Sequence, residues 1–467
     1  MRILKAEHKY AAAINSILKK INYSFVIKNL RGIGDFIEPW CDFTAMDKLF
    51  DQYVTKYNCI FKLLYIGKET TYNALIEEVD SELIDMLIEC GFLIKENDII
   101  HTNNFVVLMY QGIYLVVDIN IWFPTCNQTK TEVYLGLDSL RLAENIRFDI
   151  GSSVLDLCSG SGVQGLLAAK SASSVVSVDI NEQAINTSNF NKLLNGFSNI
   201  DIINGDLYNA IGDRTFDYIY ANPPFIPMID DVEYPVCGTG GEDGLRVLRK
   251  IIYGLPKHIK DNGESVIFCE CLGDDENVFF NLEIKDFCQK NKLSVSCVLL
   301  SKGVLDYQVK TLAEITSLYN DDSFDETTFI SRMKMVYSNL GAKHLYSILY
   351  RIHKVDDNPT FDIYSLVSNW NPSSTAKISE NIEIMPNNKS HKVTMNNETV
   401  AYFDEQGLAV FNCLAKGITV NEVAVELYYQ FKNEPKYKKY GFESFQNAVL
   451  ADCLKLQNLN MISMNKQ

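Results

Sequence analysis

No Cys-x-x-Cys pair and no set of cysteines or histidines at zinc-ligand spacing occurs in this sequence, which removes the common structural-zinc and dithiol classes and leaves no metal site to propose. The twelve cysteines stand singly, as at Cys41, Cys90, Cys158 and Cys297, and the six histidines fall into no Ser/His/Asp or metal constellation. Cys269 and Cys271 alternate along an expected strand and so share one face, where core packing is their expected role. Scattered thiols of this kind suit a reducing cytoplasm, the expected compartment. No apolar run approaches the roughly 20 residues of a membrane span, and MRILKAEHKYAAAINSILKK lacks the apolar stretch of a signal peptide. Basic residues are in deficit, with 43 Lys and Arg against 59 Asp and Glu and a net charge of −16. That argues against a broad nucleic-acid footprint, because phosphate binding rests on clustered Lys and Arg; KNEPKYKKY (432 to 440) is the one local basic stretch. Internal repeats and low-complexity segments are absent.

What is present is a chain of 467 residues, 47% hydrophobic and 22% charged, the composition of a folded protein of two or three domains. Residues 1–130 read as mostly helical, with IFKLLYIG, TTYNALIEEV and SELIDMLIECGFLI (81 to 94) followed by strands in DIIHTN and FVVLMYQGIYLVVD. Three short helices and a hairpin describe a winged helix. The helix that would enter a major groove carries Glu82, Asp85 and Glu89 and no Lys or Arg, so docking on protein is expected rather than on DNA. From 131 to 354 strands and helices alternate, the mark of an α/β domain with a largely parallel sheet. SSVLDLC, SVVSVDI, IDIINGD, FDYIYAN, ESVIFCEC, LSVSCVLL and HLYSILYRIHK make seven strands, a Rossmann-like order. The last two are separated by an insertion with the helical FDETTFISRMKMVYSNL, placed to help cover a site. Residues 355–392 are rich in Pro, Asn and Ser and read as a linker or wrap. Residues 393–467 read as strands and three amphipathic helices, a second small winged-helix-like module.

VLDLCSGSGVQG places Gly160, Gly162 and Gly165 in G-x-G-x-x-G spacing after a strand and ahead of a helix, and Asp179 closes the next strand. Alone, this fits a dinucleotide site. Asp156, four residues before the first glycine, would face a cation and clash with a pyrophosphate. Asp206, after the third strand, is placed to hold an exocyclic amine. Both favour S-adenosylmethionine, with its cationic centre, amino-acid tail and adenine. The bland alternatives are helix caps and turn formers. The fourth strand, FDYIYA, stops at Asn222-Pro223-Pro224-Phe225; two prolines remove two donors and fix two φ angles, so the loop leaves the sheet in one stiff conformation.

With these elements in order, the central domain resembles the class I S-adenosylmethionine-dependent methyltransferases, in the N-methylating branch marked by Asn-Pro-Pro-aromatic. That branch includes the release-factor glutamine methyltransferases and the adenine-N6 and guanine-N2 methyltransferases. The resemblance covers roughly residues 131 to 300. It implies that Asp156 and the Gly160, Gly162 and Gly165 turn hold the methionine part, Asp179 the ribose, Asp206 and Leu207 the adenine, with Cys158, Ile180 and Asn222 also against the cofactor, and Asn222 to Phe225 the substrate nitrogen. GTGGEDGLRVLRKII looks like the segment that follows the clamp in the glutamine-methylating relatives, and TEVYLGLDSL is similar to their substrate-covering stretch. Tyr134, Asp138, Phe225, Glu242 and Asp243 are then expected on the substrate side, the bland alternatives being loop solvation for Glu242 and Asp243 and capping of the next helix for Tyr134 and Asp138. The chain departs from the pattern in lacking the proline and trailing Glu of that stretch, and in Phe225 where the glutamine and adenine enzymes usually have Tyr. The C-terminal module resembles the winged-helix precursor-peptide recognition domains of peptide biosynthesis; its bland reading is a stability or dimerisation unit, which would make the chain a homodimer.

The chemistry explains why such a clamp is needed. An amide or aromatic amine nitrogen is a poor nucleophile because its lone pair is delocalised. Asn222 through its side-chain oxygen and Pro223 through its carbonyl can accept the two N–H bonds, favouring a pyramidal nitrogen and stabilising the growing positive charge. Pro223 and Pro224 keep these acceptors rigid, and Phe225 offers a face for a planar group. The expected function is N-methylation of an amide or amino group of a protein, peptide or small molecule. The alternatives are a nucleic-acid base methyltransferase and a non-catalytic winged-helix scaffold with a methyltransferase fold.

Overall fold

The computed structural model describes residues 4–31, 43–119, 131–133, 135–229, 231–235, 237–317, 319–320, 324–367, 373–387, 390–433 and 442–465. The chain divides into two compact units, Met1–Leu366 and Val367–Gln467.

The first unit is organised by an eight-stranded sheet. Its strands are β1 (Ser153–Leu157), β2 (Ser174–Asp179), β3 (Ile200–Asn204), β4 (Phe216–Ala221), β5 (Ile259–Gly273), β6 (Leu293–Val304), β7 (His344–Lys354) and β8 (Phe361–Ser365). Their spatial order is β8-β6-β7-β5-β4-β1-β2-β3. All neighbours are parallel except β7, which runs antiparallel to both β5 and β6. The chain therefore winds outward from β1 through β2 to β3 and then restarts beside β1 with β4, so the crevice between the carboxyl ends of β1 and β4 is the switch point where such sheets bind ligands. The seven expected strands all form. The eighth comes from the segment expected as linker or wrap: Phe361 packs on the core while Asp362 to Ser365 are exposed, so this edge strand lacks the burial pattern that would reveal it.

Four helices matter for the site: α1 (Leu137–Asn145), α2 (Val163–Ala168), α3 (Glu182–Asn195) and α4 (Arg246–His258). α3 starts where the Asn181 side chain accepts the Gln183 and Ala184 N–H groups and ends at Gly196, φ +71°, a start and stop each set by one residue type. The β6–β7 insertion holds two helices, Leu305–Ser317 and Glu326–Asn339.

Ahead of the sheet, the helix expected over 81 to 94 ends at Glu89; Gly91, φ +83°, turns the chain and Leu93–Glu96 becomes a strand. Leu93–Glu96 pairs with Ile99–Thr102, which also pairs with Thr70–Thr71. Phe105–Tyr110 and Ile113–Asp118 form a separate hairpin, almost wholly buried.

The second unit has an antiparallel sheet of Ile382–Asn387, Ser390–Met395 and Glu398–Phe403, with helices Glu405–Leu414, Val420–Phe431 and Phe442–Asn458. A capping box between Thr419 and Glu422 opens the middle helix, and Ala376–Ile378 pairs with Ile462–Met464. Among the described residues, no helix is long and apolar enough to cross a membrane, and no cluster of His, Cys, Asp and Glu could hold a metal.

Candidate active site

After β1 the chain makes three left-handed residues in five: Cys158 at φ +55°, Gly160 at +51° and Gly162 at +80°. The two glycines adopt this region without penalty; Cys158 does so under constraint. Gly165 serves a different need, since a Cβ there would lie 2.2 Å from Ser177 Oγ and 3.1 Å from Asp156 Oδ2. Its bareness lets α2 sit on the sheet close enough for its N–H to reach Asp156 Oδ2 at 3.0 Å.

Asp156 is thereby placed beneath the turn, 1% exposed, and not on the cavity wall. Burial pushes its carboxyl up to about 7, opposed by the Gly165 N–H and reinforced by the Asp179 charge. Between an ordinary carboxyl value of ~4 and ~7 the folded protein retains a proton that the unfolded chain has released. Stability present in full below that window is therefore lost as pH rises through it. Urea unfolding midpoints are expected to fall across this range in the wild type and to flatten in Asp156→Asn; an unchanged slope in the variant would remove Asp156 as the cause.

Asp179, at the end of β2, accepts the Gly160 N–H at 2.8 Å and the Asn181 N–H at 2.9 Å, so it holds the turn while facing the cavity. Burial pushes its carboxyl up and these backbone N–H groups oppose it. After β3, Gly205 donates to the Asp179 carbonyl, Asp206 pairs with Lys250 of α4 at 3.1 Å, and Leu207 enters a short 3-10 turn at φ +51°. Together these surround a cavity of about 300 Å³ whose wall includes Cys158, Gly160, Asp179, Ile180, Asp206, Leu207 and Asn222. Gly162 and Gly165, like Asp156, shape the turn from behind it.

Asn222 closes the far side. Its Nδ2 donates to Asp138 Oδ2 at 2.8 Å and to Ser139 Oγ at 3.2 Å, both in the first turn of α1. A carboxylate accepts and does not donate, so these bonds decide which way the amide faces. Its Oδ1 is then buried with no partner among the described residues. Leaving such an acceptor unsatisfied costs about 1–3 kcal/mol, which a ligand N–H would recover. Burial pushes the Asp138 carboxyl up, and the Asn222 N–H opposes this. Gln164 of α2 donates to the Ser139 carbonyl at 3.0 Å, tying α1 to the glycine turn.

Beyond Asn222 lies a second cavity of about 400 Å³. Pro224 faces the first cavity, Pro223 and Phe225 the second, and Asn222, Asp138 and Cys237 border both. Phe225 meets Phe268 of β5 edge to face, centroids 5.8 Å apart, and Ile315 and Tyr319 from the insertion complete the wall. Three charged groups stand in this wall, Asp138 among them. Glu270 is held by Ser347 Oγ at 2.8 Å and pushed up by burial; Arg141 of α1 is exposed at the wall.

The loop after the clamp is zipped to the GG-x-DGL segment: Ile226 N–H donates to the Gly238 carbonyl, Gly240 N–H to the Ile226 carbonyl and Met228 N–H to the Gly241 carbonyl, at 2.8 to 2.9 Å. Glu242 is exposed and away from both cavities, and Asp243 caps the Leu245 N–H and pairs with Arg249 at 2.7 Å. Tyr134 lies outside the described residues. Sequence reasoning missed Ser159, Arg141, Arg246, Lys250 and Glu270. Arg246 and Lys250 are four apart on one amphipathic helix, a spacing that shows a shared face but not which crevice that face borders.

A family described as Methyltransferase small domain matches residues 136–268. Among curated proteins, the chain is 35% identical over 131 residues to a release factor glutamine methyltransferase of Thermodesulfovibrio yellowstonii, covering 26% of this chain and 46% of the relative. It is 32% identical over 147 residues to a protein of Methanocaldococcus jannaschii named "Putative protein N5-glutamine methyltransferase", covering 30% of this chain and 74% of the relative. It is 34% identical over 128 residues to a ribosomal protein uL3 glutamine methyltransferase of Bradyrhizobium diazoefficiens, covering 25% and 40%. The chain thus spans less than half of the first and third of these relatives. The matched stretch holds the glycine turn, both cavities' shared wall and the clamp, and the chain belongs to the methyltransferase family of these proteins, the class I S-adenosylmethionine-dependent methyltransferases.

Proposed function

We propose that this protein methylates an amide or amino nitrogen on a protein or peptide acceptor, with Asn222, Pro223, Pro224 and Phe225 as the catalytic clamp. The observation that carries this reading is Asn222 Oδ1, buried without a partner where the two cavities meet, its amide locked by Asp138 and Ser139. S-adenosylmethionine, when bound, supplies an electrophilic methyl group. The 300 Å³ cavity fits it: Ser159 Oγ is buried with no partner among the described residues, the Gly160 turn brings backbone close, and Asp179 and Asp206 offer carboxylates for hydroxyl and amine donors. Asn222 Oδ1 and the Pro223 carbonyl accept the two N–H bonds of the acceptor, holding its nitrogen pyramidal toward the first cavity. No general base precedes transfer, since the proton becomes acidic once the nitrogen carries its fourth substituent; Glu270, beside the acceptor, is placed to take it. Phe225 and Phe268 give the acceptor an apolar wall, and Ile315 and Tyr319 of the insertion line its other side.

The protein acceptor is favoured because the relatives' names specify a release factor and ribosomal protein uL3 as acceptors, and because the chain's net charge of −16 opposes nucleic acid. The finer domain reading is a winged helix on each side of the catalytic domain. The helices Asn58–Ile66, Tyr72–Glu78 and Ser81–Glu89 beside a small three-stranded sheet support it at the N-terminal end, and the three helices and sheet of the second unit support it at the other.

Incubation with labelled S-adenosylmethionine and fractionated cell extract tests the reading, with Asn222→Ala as control. Label entering protein or peptide only with wild type is the expected result. Label in RNA would overturn the acceptor class, and absence of cofactor binding would overturn the enzyme.

A further inference from the structure

α3 carries a pair of asparagines, one buried and one half-buried, that neither catalysis nor helix formation requires. Asn191 is fully buried. Its Oδ1 accepts the Val116 N–H at 2.7 Å, and its Nδ2 donates to the Val116 carbonyl at 3.0 Å and to the Ser161 carbonyl at 3.1 Å. One turn later Asn195 repeats the first two bonds on Tyr114, at 2.8 and 2.7 Å, and returns its remaining N–H to the Asn191 carbonyl. The geometry follows from two repeats. Four residues of helix rise about 6 Å and two residues of strand about 6.6 Å, so two asparagines on one helix face match successive outward-facing backbone pairs of the hairpin strand Ile113–Asp118. They stand where a neighbouring strand would otherwise pair.

The two asparagines differ in one respect. Only Asn191 reaches on to the glycine turn, at Ser161, which lines the first cavity. The adjacent Gly160 carbonyl is held by Ser188 Oγ of the same helix at 2.7 Å. At its other end the hairpin strand finishes in Asp118, buried, whose Oδ2 accepts the Glu132 and Val133 N–H groups at 2.8 and 3.0 Å, just ahead of α1 with its Asp138 and Ser139. One strand of the N-terminal hairpin is thus bonded at its middle, through one side chain, to the cofactor turn, and at its end to the approach to the Asn222 clamp.

We propose that Asn191 is a positioning residue that couples the N-terminal hairpin to the cofactor turn, so that the state of the N-terminal region sets cofactor affinity; this rests on the methyltransferase reading above. A turn with three residues of positive φ keeps its shape only where its surroundings over-determine it, and the Ser161 carbonyl is one of the points at which they do. Coupling is reciprocal, so a cofactor that orders the turn also orders the hairpin strand.

Calorimetric titration of the full chain with S-adenosylhomocysteine, the demethylated cofactor, tests this on Asn191→Ala and Asn195→Ala together. Both variants uncap the same strand and are expected to lose stability to urea. Asn191→Ala is expected to weaken binding about tenfold, the effect of about one buried hydrogen bond, while Asn195→Ala stays within about twofold of wild type. Equal affinity losses in both, or none in Asn191→Ala, would overturn the coupling. Hydrogen exchange on the wild type keeps the test independent of variant folding. Saturating S-adenosylhomocysteine should slow exchange at residues 113–118 by more than it slows β7, which reports general stabilisation alone. Equal slowing in the two strands overturns the proposal while leaving the methyltransferase reading intact; failure of the wild type to bind the ligand removes both.

Discussion

Replacing Asn222 by alanine is expected to lower the rate of methyl transfer by about 10²- to 10³-fold, the usual cost of removing one preorganised group that stabilises charge in a transition state. Cofactor affinity should change far less. The amide's hydrogens are already committed to Asp138 and Ser139, and its oxygen faces the meeting of the two cavities unpaired, so what alanine removes is an acceptor for the substrate. Single-turnover rates with saturating cofactor, beside a cofactor titration, separate the two effects. Asp138→Ala should give a smaller loss of rate, because it frees the amide to rotate without deleting it. A wild-type rate in Asn222→Ala would remove the clamp from the mechanism.

The second large effect is expected at Gly244. It adopts φ +77°, and a Cβ there would lie 2.3 Å from the Phe225 carbonyl oxygen and 3.3 Å from Pro227 Cγ. A backbone oxygen next to Ile226, whose N–H and carbonyl are both bonded to the Gly238–Gly240 stretch, cannot rotate away as a side chain could, so Gly244→Ala must either shift Phe225 or strain the loop. Overpacking of this kind costs about 1–3 kcal/mol, and the left-handed conformation adds about 1 kcal/mol. The variant is expected to fold, to bind S-adenosylhomocysteine nearly as wild type, and to lose most transfer activity because Phe225 and the Pro223 carbonyl move together. Loss of cofactor binding in parallel with activity would show that the whole switch point, and not the clamp, depends on this contact. Gly212, whose added Cβ meets nothing within 4 Å, is the control for φ alone, at +62°.

Much of the fold was legible because its signals are local. β1, β4 and residues 266–272 of β5 are short, mostly apolar and largely buried runs, which show no alternation but stand out from the polar segments around them. The glycine turn was legible for a similar reason, since Gly160 and Gly162 answer a backbone demand that few other residues meet. Where the signal was not local, reading the chain misplaced or missed it. The helix begun at Ser81 was carried past Gly91 because LIECGFLI keeps an apolar period that helix and strand share over so short a span. β8 was hidden because it is an edge strand exposed on most of its length.

The candidate site divides along the same line. Spacing alone marked Asn222 to Phe225, Asp179 and Asp206 as groups gathered at the carboxyl edge of one sheet, because strand ends followed by short turns must lie there. It set Asp156 against the cofactor's cation, whereas the close approach of α2 holds that carboxylate beneath the turn on the Gly165 N–H. It could not find Glu270, Arg141 or Lys250, which reach the site from β5, α1 and α4 only once the sheet has twisted and the helices have packed. By itself the sequence determined the alternating strands and helices and the gathering of their loops at the carboxyl edge of one sheet, since each depends on residues near one another along the chain. The tertiary structure alone decided which way the Asn222 amide faces, because its hydrogen-bond partners stand 84 and 83 residues away, and which carboxylates remain open to a ligand, because that depends on how closely α2 packs on the sheet.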